Sequence, residues 1–226
     1  MSQQEVWNKI AEKWAEYRNR TPNEVDEFLK DKKGKILDLG CGSGRNIIPN
    51  NNIKYYGVDF SEEMLKFAEI NAKSNQINAI FFQTDIGKEK LPFKNDFFDA
   101  AVFISTLHCI PSAEDRENSI KELFRVMKKG SNAMISVWKK EAIIKKLEPK
   151  KTDGVEVNIK NLKETFVNWK KDGKNHQRYY YFYEKEELES LLKSVGFKIL
   201  NLKTKEGKTL IGNHPRTNFL VYVQKK

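Results

Sequence analysis

Lys35-Ile36-Leu37-Asp38-Leu39-Gly40-Cys41-Gly42-Ser43-Gly44 is the stretch that decides the fold. A short apolar run bounded by glycines reads as a buried strand. Three glycines on alternate positions then form a turn whose missing side chains let backbone N–H groups approach a ligand. Such glycines alone often mark no more than a tight turn. Here Asp38 precedes the first of them by two residues, and Asp59 ends the next apolar run, 21 residues after Asp38. A carboxylate at the tip of a second strand can accept both hydroxyls of a ribose, so the combination points to a nucleoside-containing ligand.

Working outward, strand and helix signals alternate. Tyr55–Val58, Ile80–Phe82 and Phe98–Ile104 read as further strands, with Ala133–Trp138 as a fifth and Phe197–Leu202 and Phe219–Val223 closing the set. Helical spacing appears at Val6-Trp7-Ile10-Ala11-Trp14, from about Asn23 after Pro22, at Met64-Leu65-Phe67-Ala68, at Ile120-Leu123-Phe124-Met127 and at Glu186-Leu188-Leu191-Leu192. Lys128-Lys129-Gly130 supplies a helix stop. The reading is α/β: one Rossmann-like domain with a seven-stranded, mostly parallel sheet and helices on both faces. Within 1–226 the expected divisions are a helical cap over 1–34, a cofactor-binding core over 35–138, a basic and partly mobile insertion over 139–176, and a closing helix and strands over 177–226.

At 226 residues the chain suits a single core. No apolar run approaches the roughly 20 residues that cross a bilayer, and the start MSQQEVWNKI lacks a signal-peptide apolar stretch, so a cytoplasmic protein without a membrane partner is expected. Cys41 and Cys109 form neither a disulfide framework nor a zinc pattern, and no metal site is expected. Residues 1–138 hold 20 Lys and Arg against 20 Asp and Glu, whereas residues 139–226 hold 21 against 11. The whole excess of +10 is therefore C-terminal, where it would attract a polyanion, unless it reflects only a lysine-rich composition.

Two ligands compete for the glycine turn. A nicotinamide dinucleotide normally uses a Gly-x-Gly-x-x-Gly spacing followed by a full helix. Residues 46–54 leave room for barely a turn or two of helix, interrupted by Pro49. S-adenosylmethionine carries no phosphate and suits the turn better. Asp38-x-Gly-x-Gly-x-Gly and Val58-Asp59-Phe60-Ser61 resemble the first two motifs of the class I methyltransferases. Asp85-Ile86 is similar to the pair that holds the adenine there, and Phe98-Asp99 through Ile104-Ser105 to the strand whose end faces the transferred methyl. The resemblance assigns the cofactor to Asp38, Gly40, Cys41, Gly42, Gly44, Asn46, Asp59, Phe60, Asp85, Ile86 and Ser105. The plainer uses are an acidic strand end for Asp38 and a helix cap for Asp85.

Val6-Trp7-Asn8-Lys9-Ile10-Ala11 with Tyr17-Arg18, Leu107-His108, and Arg178-Tyr179-Tyr180 resemble a narrower group. It comprises the eukaryotic and archaeal enzymes that esterify the carboxymethyl group on a wobble uridine of transfer RNA. The likeness runs along nearly the whole chain. It departs at His108-Cys109, where a His-His pair is common, at Asn19-Arg20-Thr21-Pro22, and in a longer Glu206–Pro215 segment. It implies a transfer RNA anticodon stem-loop as partner and a small zinc-binding activator subunit. A carboxylate is already ionised near neutral pH, so positioning is what its methylation needs. Arg18 is the first candidate to hold it, Arg178 the second, and His108 a candidate to orient it or merely to stand hydrogen-bonded in the pocket wall. The alternatives are a methyltransferase of a small carboxylate or quinone precursor, and a non-catalytic RNA-binding module with a vestigial cofactor fold.

Overall fold

Strand β1 (Gly34–Leu39) lies inside the sheet, buried on both faces from Ile36 to Leu39. It pairs in parallel with β2 (Ile53–Asp59) on one side and β4 (Phe98–Ile104) on the other. The computed structural model describes residues 1–139, 163–171, 173–208 and 215–226. In it β3 (Ala79–Gln83) adds to β2 and β5 (Met127–Trp138) to β4, both in parallel. β9 (Pro215–Lys225) then runs antiparallel between β5 and β8 (Phe197–Lys208). The order β3-β2-β1-β4-β5-β9-β8 reverses direction between β1 and β4, which opens a crevice beyond their carboxyl ends. The expected seven-stranded, mostly parallel sheet is what forms.

Alternation along the strands sends side chains to two covers. Ile36, Ala100 and Val102 pack with Val25 and Leu29 of α2 (Asn23–Leu29) and Ala72 of α3 (Glu62–Ser74). Leu37, Leu39, Phe103 and Ile135 pack on the other face with Ile120 and Leu123 of α4 (Ala113–Val126) and Leu188 and Leu192 of α5 (Lys185–Val195). Helix α1 (Gln3–Tyr17) packs on α3 and not on the sheet. A capping box between Ser2 and Glu5 starts it, and Ile10 and Ala11 seat it on Met64 of α3.

Three local readings change. The stretch expected as a basic, partly mobile insertion over 139–176 holds β6 (Glu164–Lys171) and the start of β7 (Lys174–Tyr181), an antiparallel hairpin that runs past its end. Its period-two signal, Thr165, Val167 and Trp169 half-buried between exposed neighbours, is masked by the surrounding lysines. Residues 140–162 and 172 of that stretch lie outside the described residues. Met127, read as part of a helix face, begins β5 instead, since α4 stops at Val126 and Met127 turns extended at ψ 144°. Between β1 and β2 the chain makes turns only. Among the described residues no helix is long and apolar enough to cross a membrane.

Candidate functional site

The glycine turn is locked to the rest of the crevice by close approach. Gly40 has φ +70°, and a Cβ there would fall 2.2 Å from Cγ2 of Thr106, whose hydroxyl donates to the Gly40 carbonyl at 3.1 Å. A Cβ on Gly44 would sit 3.1 Å from Ala68, so this glycine lets α3 close on the turn and does not line the cavity. The Gly42 N–H, at 2.9 Å, and the Ser61 N–H, at 3.0 Å, donate to the two oxygens of Asp59. Its carboxylate is thus aimed by the backbone before any ligand arrives. Burial pushes its pKa up to about 6, against the pull of those N–H groups.

Asp38 lies one layer deeper and is fully buried. Asn46 Nδ2 donates to its Oδ1 at 3.1 Å, while Oδ2 is enclosed with no hydrogen-bond partner. Desolvation raises its pKa to about 7, with Asn46 opposing and Asp59 adding slightly. An orphaned carboxylate oxygen beside a second buried carboxylate is an acceptor for a positively charged donor that the protein does not itself supply.

Asp59 and Asn46, though not Asp38 behind them, border a cavity of about 270 Å³. Its floor is Gly40, Cys41, Gly42, Asn46, Asp59 and Phe60, and its far wall Asp85, Ile86 and Ser105. Asp85 is held by Lys88 at 2.8 Å. Ser105 is a non-glycine residue at φ +59°, a costly conformation at the end of β4 where its N–H reaches Ser136 Oγ at 3.0 Å. Cys41 is buried and its thiol is pushed well up by that burial, so it packs and does not react.

The roof is α1, which supplies Gln3, Gln4, Trp7, Trp14 and its C-cap Arg18. Gln4 donates to the Phe60 carbonyl at 2.7 Å, and Asn8 Oδ1 accepts from the Ser61 hydroxyl at 2.6 Å. Sequence reasoning read Trp7 and Trp14 only as part of a helical spacing, and it missed Arg45 and Thr106. Arg45 directly follows the last glycine of the turn, which was an available signal; Thr106 had none. Arg18, Arg45, Ile104 and Ser105 also border a second chamber of about 180 Å³ beyond β4, β5 and β9.

The other two expected polar residues stand elsewhere. His108 is fully buried and lines neither cavity; its Nδ1 accepts the Trp138 N–H at 3.3 Å, and its ring stacks 5.2 Å from Trp138 and 5.6 Å from Tyr180. Arg178, on β7, is 5% exposed and lies behind the roof. Its guanidinium is 5.7, 5.1 and 5.2 Å from the rings of Trp7, Trp14 and Trp169, and its Nη1 donates to the Tyr180 hydroxyl at 2.7 Å. Its positive charge still reaches the site. Burial lifts the Cys109 thiol, in the cavity wall, to about 12, and the charges of Arg178 and Arg18 pull against that rise.

A glycine turn at the switch point, a buried carboxylate at the tip of β2 and an apolar wall at Ile86 define a nucleoside-cofactor site of the doubly wound class. The chain belongs to the family described as methyltransferase domain, which matches residues 30–196. S-adenosylmethionine is the cofactor of that family. The chain is 30% identical over 138 residues to a tRNA (carboxymethyluridine(34)-5-O)-methyltransferase of Arabidopsis thaliana, covering 60% of this chain and 32% of the relative. It is 31% identical over 136 residues to the protein of that name in Saccharomyces cerevisiae, covering 59% and 46%. The alignments thus span about a third to a half of these relatives. A crystal structure of an S-adenosylmethionine-dependent methyltransferase from Methanosarcina mazei superposes with a TM-score of 0.70 at 24% identity, covering 91% of this chain and 98% of that one, a likeness of fold.

Proposed function

We propose that this protein uses S-adenosylmethionine to methylate a carboxylate, and that the carboxylate is the carboxymethyl group of a wobble uridine in transfer RNA. The observation that carries the reading is the position of Arg18, which lines both the cofactor cavity and the second chamber. The alignments with relatives named for that reaction support the choice of substrate. The bound cofactor would supply a sulfonium methyl, and ester formation would make an O–CH3 bond, break the S–CH3 bond and leave its electron pair on sulfur, with no proton released.

The protein's residues would hold and orient. Asp59 would accept the ribose hydroxyls on its backbone-fixed carboxylate, and Asp38, with its orphaned oxygen, would offset the cofactor's positive charge. Ile86 would pack on the adenine. Arg18 would hold one substrate oxygen by charge-assisted bonds and leave the other to react. No base is required of the site, because a carboxylate with a pKa of roughly 4 is already ionised. Placement in line would account for on the order of 7–11 kcal/mol of barrier reduction.

The C-terminal half, with 21 Lys and Arg against 11 Asp and Glu, would take the anticodon stem-loop. A small activator subunit would sit on the β3 edge of the sheet, a reading supported by the exposure of Ile80 on β3 and of Ile70 on α3. The test is mass spectrometry of nucleosides from transfer RNA incubated with the protein and labelled cofactor. Label in the methyl ester of the carboxymethyluridine is expected; label only in small acids supplied alongside would shift the reading to the small-carboxylate substrate that the chamber's size also admits.

A further inference from the structure

We propose that the second chamber, walled by Trp138, Ser136 and Asn218 and sharing Arg18, Arg45, Ile104 and Ser105 with the cofactor cavity, is the subsite for a planar heterocycle carrying a short-armed carboxylate. The inference rests on the carboxylate-methylating reading above and adds where the ring goes and what recognises it.

Its position comes from strand register. Trp138 ends β5 and pairs with Asn218 of β9, so indole and amide stand side by side beyond the sheet's edge, next to Ser136 and the end of β4. Tyr180 stacks on the Trp138 indole at 4.2 Å with the rings 2° from parallel, and His108 takes the Trp138 N–H. The wall is therefore a rigid aromatic stack, and its depth gives the buried His108 a reason to be there.

Two polar features set the ligand's chemistry. The Oδ1 of Asn218 is enclosed and has no hydrogen-bond partner, a state that buried carbonyl oxygens rarely keep. A ring N–H, such as that of an imide, is the donor it takes. At the neck, the wall that the two cavities share, stand the two arginines Arg18 and Arg45. The one carboxylate lining the chamber among the described residues, Glu24, is paired with Lys205. A negative group on the ligand is thus drawn to the neck and away from the far end. Ser105, held at φ +59° by Ser136, marks the same neck from below. Ring in the chamber and carboxylate at the neck is the one orientation in which both features are satisfied.

The test uses the full chain saturated with S-adenosylhomocysteine and measures equilibrium binding of 5-carboxymethyluridine and of its neutral isostere 5-carbamoylmethyluridine. The wild type is expected to favour the acid about tenfold, the scale of a hydrogen bond to a charged group. Asn218→Leu should weaken both probes about three- to tenfold, as loss of one neutral hydrogen bond does, with affinity for S-adenosylhomocysteine unchanged. Should that variant fail to fold, NMR contacts in the wild type between the probe's ring proton and the Trp138 indole decide instead. Absence of saturable binding, wild-type affinity in Asn218→Leu, or probe contacts confined to cofactor-cavity residues such as Ile86 overturns the proposal. The two readings fail separately. Methylation of transfer RNA with wild-type probe binding in Asn218→Leu removes the chamber and leaves the function, whereas chamber binding without methylation of transfer RNA removes the RNA substrate and leaves the chamber.

Discussion

The floor and the roof of the cofactor cavity are built on different principles. The floor comes from residues 38–105 and is made by strand ends: a glycine turn, a carboxylate fixed by two N–H groups and a buried partner carboxylate. The roof joins α1 to a hairpin more than 140 residues away, through Gln3 on the Tyr179 N–H at 2.9 Å, Lys171 on the Lys9 carbonyl at 2.9 Å, and Trp169 against Trp14 at 5.5 Å. The floor is specified by local spacing and the roof by long-range packing, which teaches that the generic part of the site is written in a motif and the particular part in a fold.

The sharpest way to break that contrast is Asp59→Ala. It should cost about 1.5–3 kcal/mol of cofactor affinity, the scale for hydrogen bonds to a charged group, with the melting temperature little changed. Calorimetric titration checks it, and unchanged affinity in the folded variant would remove the ribose role from the floor.

Protonation gives the next largest effect. Burial pushes the carboxyls of Asp38 and Asp59 up from the usual carboxylate range, to about 7 and about 6. In the unliganded protein these two groups contribute stability that is fully present below the unfolded value and is lost as pH rises through 6 to 7. A cofactor carrying positive charge favours the ionised forms, so its affinity should move the opposite way, falling by up to about tenfold per pH unit below 7. Titrations from pH 8 to pH 5 are the measurement, and Asp38→Asn should abolish the upper step.

Trp169→Ala addresses the roof. Losing its edge contacts with Trp14 and Tyr17 should cost about 0.5–1.5 kcal/mol per ring pair and raise hydrogen exchange in α1 without altering exchange in β1. Equal loosening of both would mean that roof and floor are one cooperative unit.

The smallest effect concerns the basic surface. Charge reversal of Lys170 or Lys174 should lower the slope of log RNA affinity against log salt by roughly 0.9 per lost phosphate contact for duplex or 0.7 for single strands, with cofactor affinity constant. Lys145, Lys146, Lys150 and Lys151, grouped with them by charge, lie outside the described residues. Lys171 leaves the group, since its ammonium is spent on the Lys9 carbonyl and on Glu12 at 3.5 Å. An unchanged slope would make the C-terminal charge a solvated face.

Arg18 and Arg178 show where reading from sequence stops. Both are arginines beside aromatic residues, and both served as carboxylate candidates. One caps α1 and opens onto two cavities, whereas the other is enclosed by three indoles and a phenol. His108 likewise belongs to a stack formed with β5 and β7, neighbours that no local pattern announces.

The sequence by itself determined the alternation of strands and helices, the glycine turn and the carboxylate at the tip of β2. These rest on period, spacing and side-chain size within a few residues, which the chain displays directly. Only the tertiary structure decided that a lysine-rich stretch holds a hairpin, that α1 roofs the cavity, and which arginine borders the cavities. Those outcomes depend on what residues distant in the chain bury together, and burial is a property of the assembled packing.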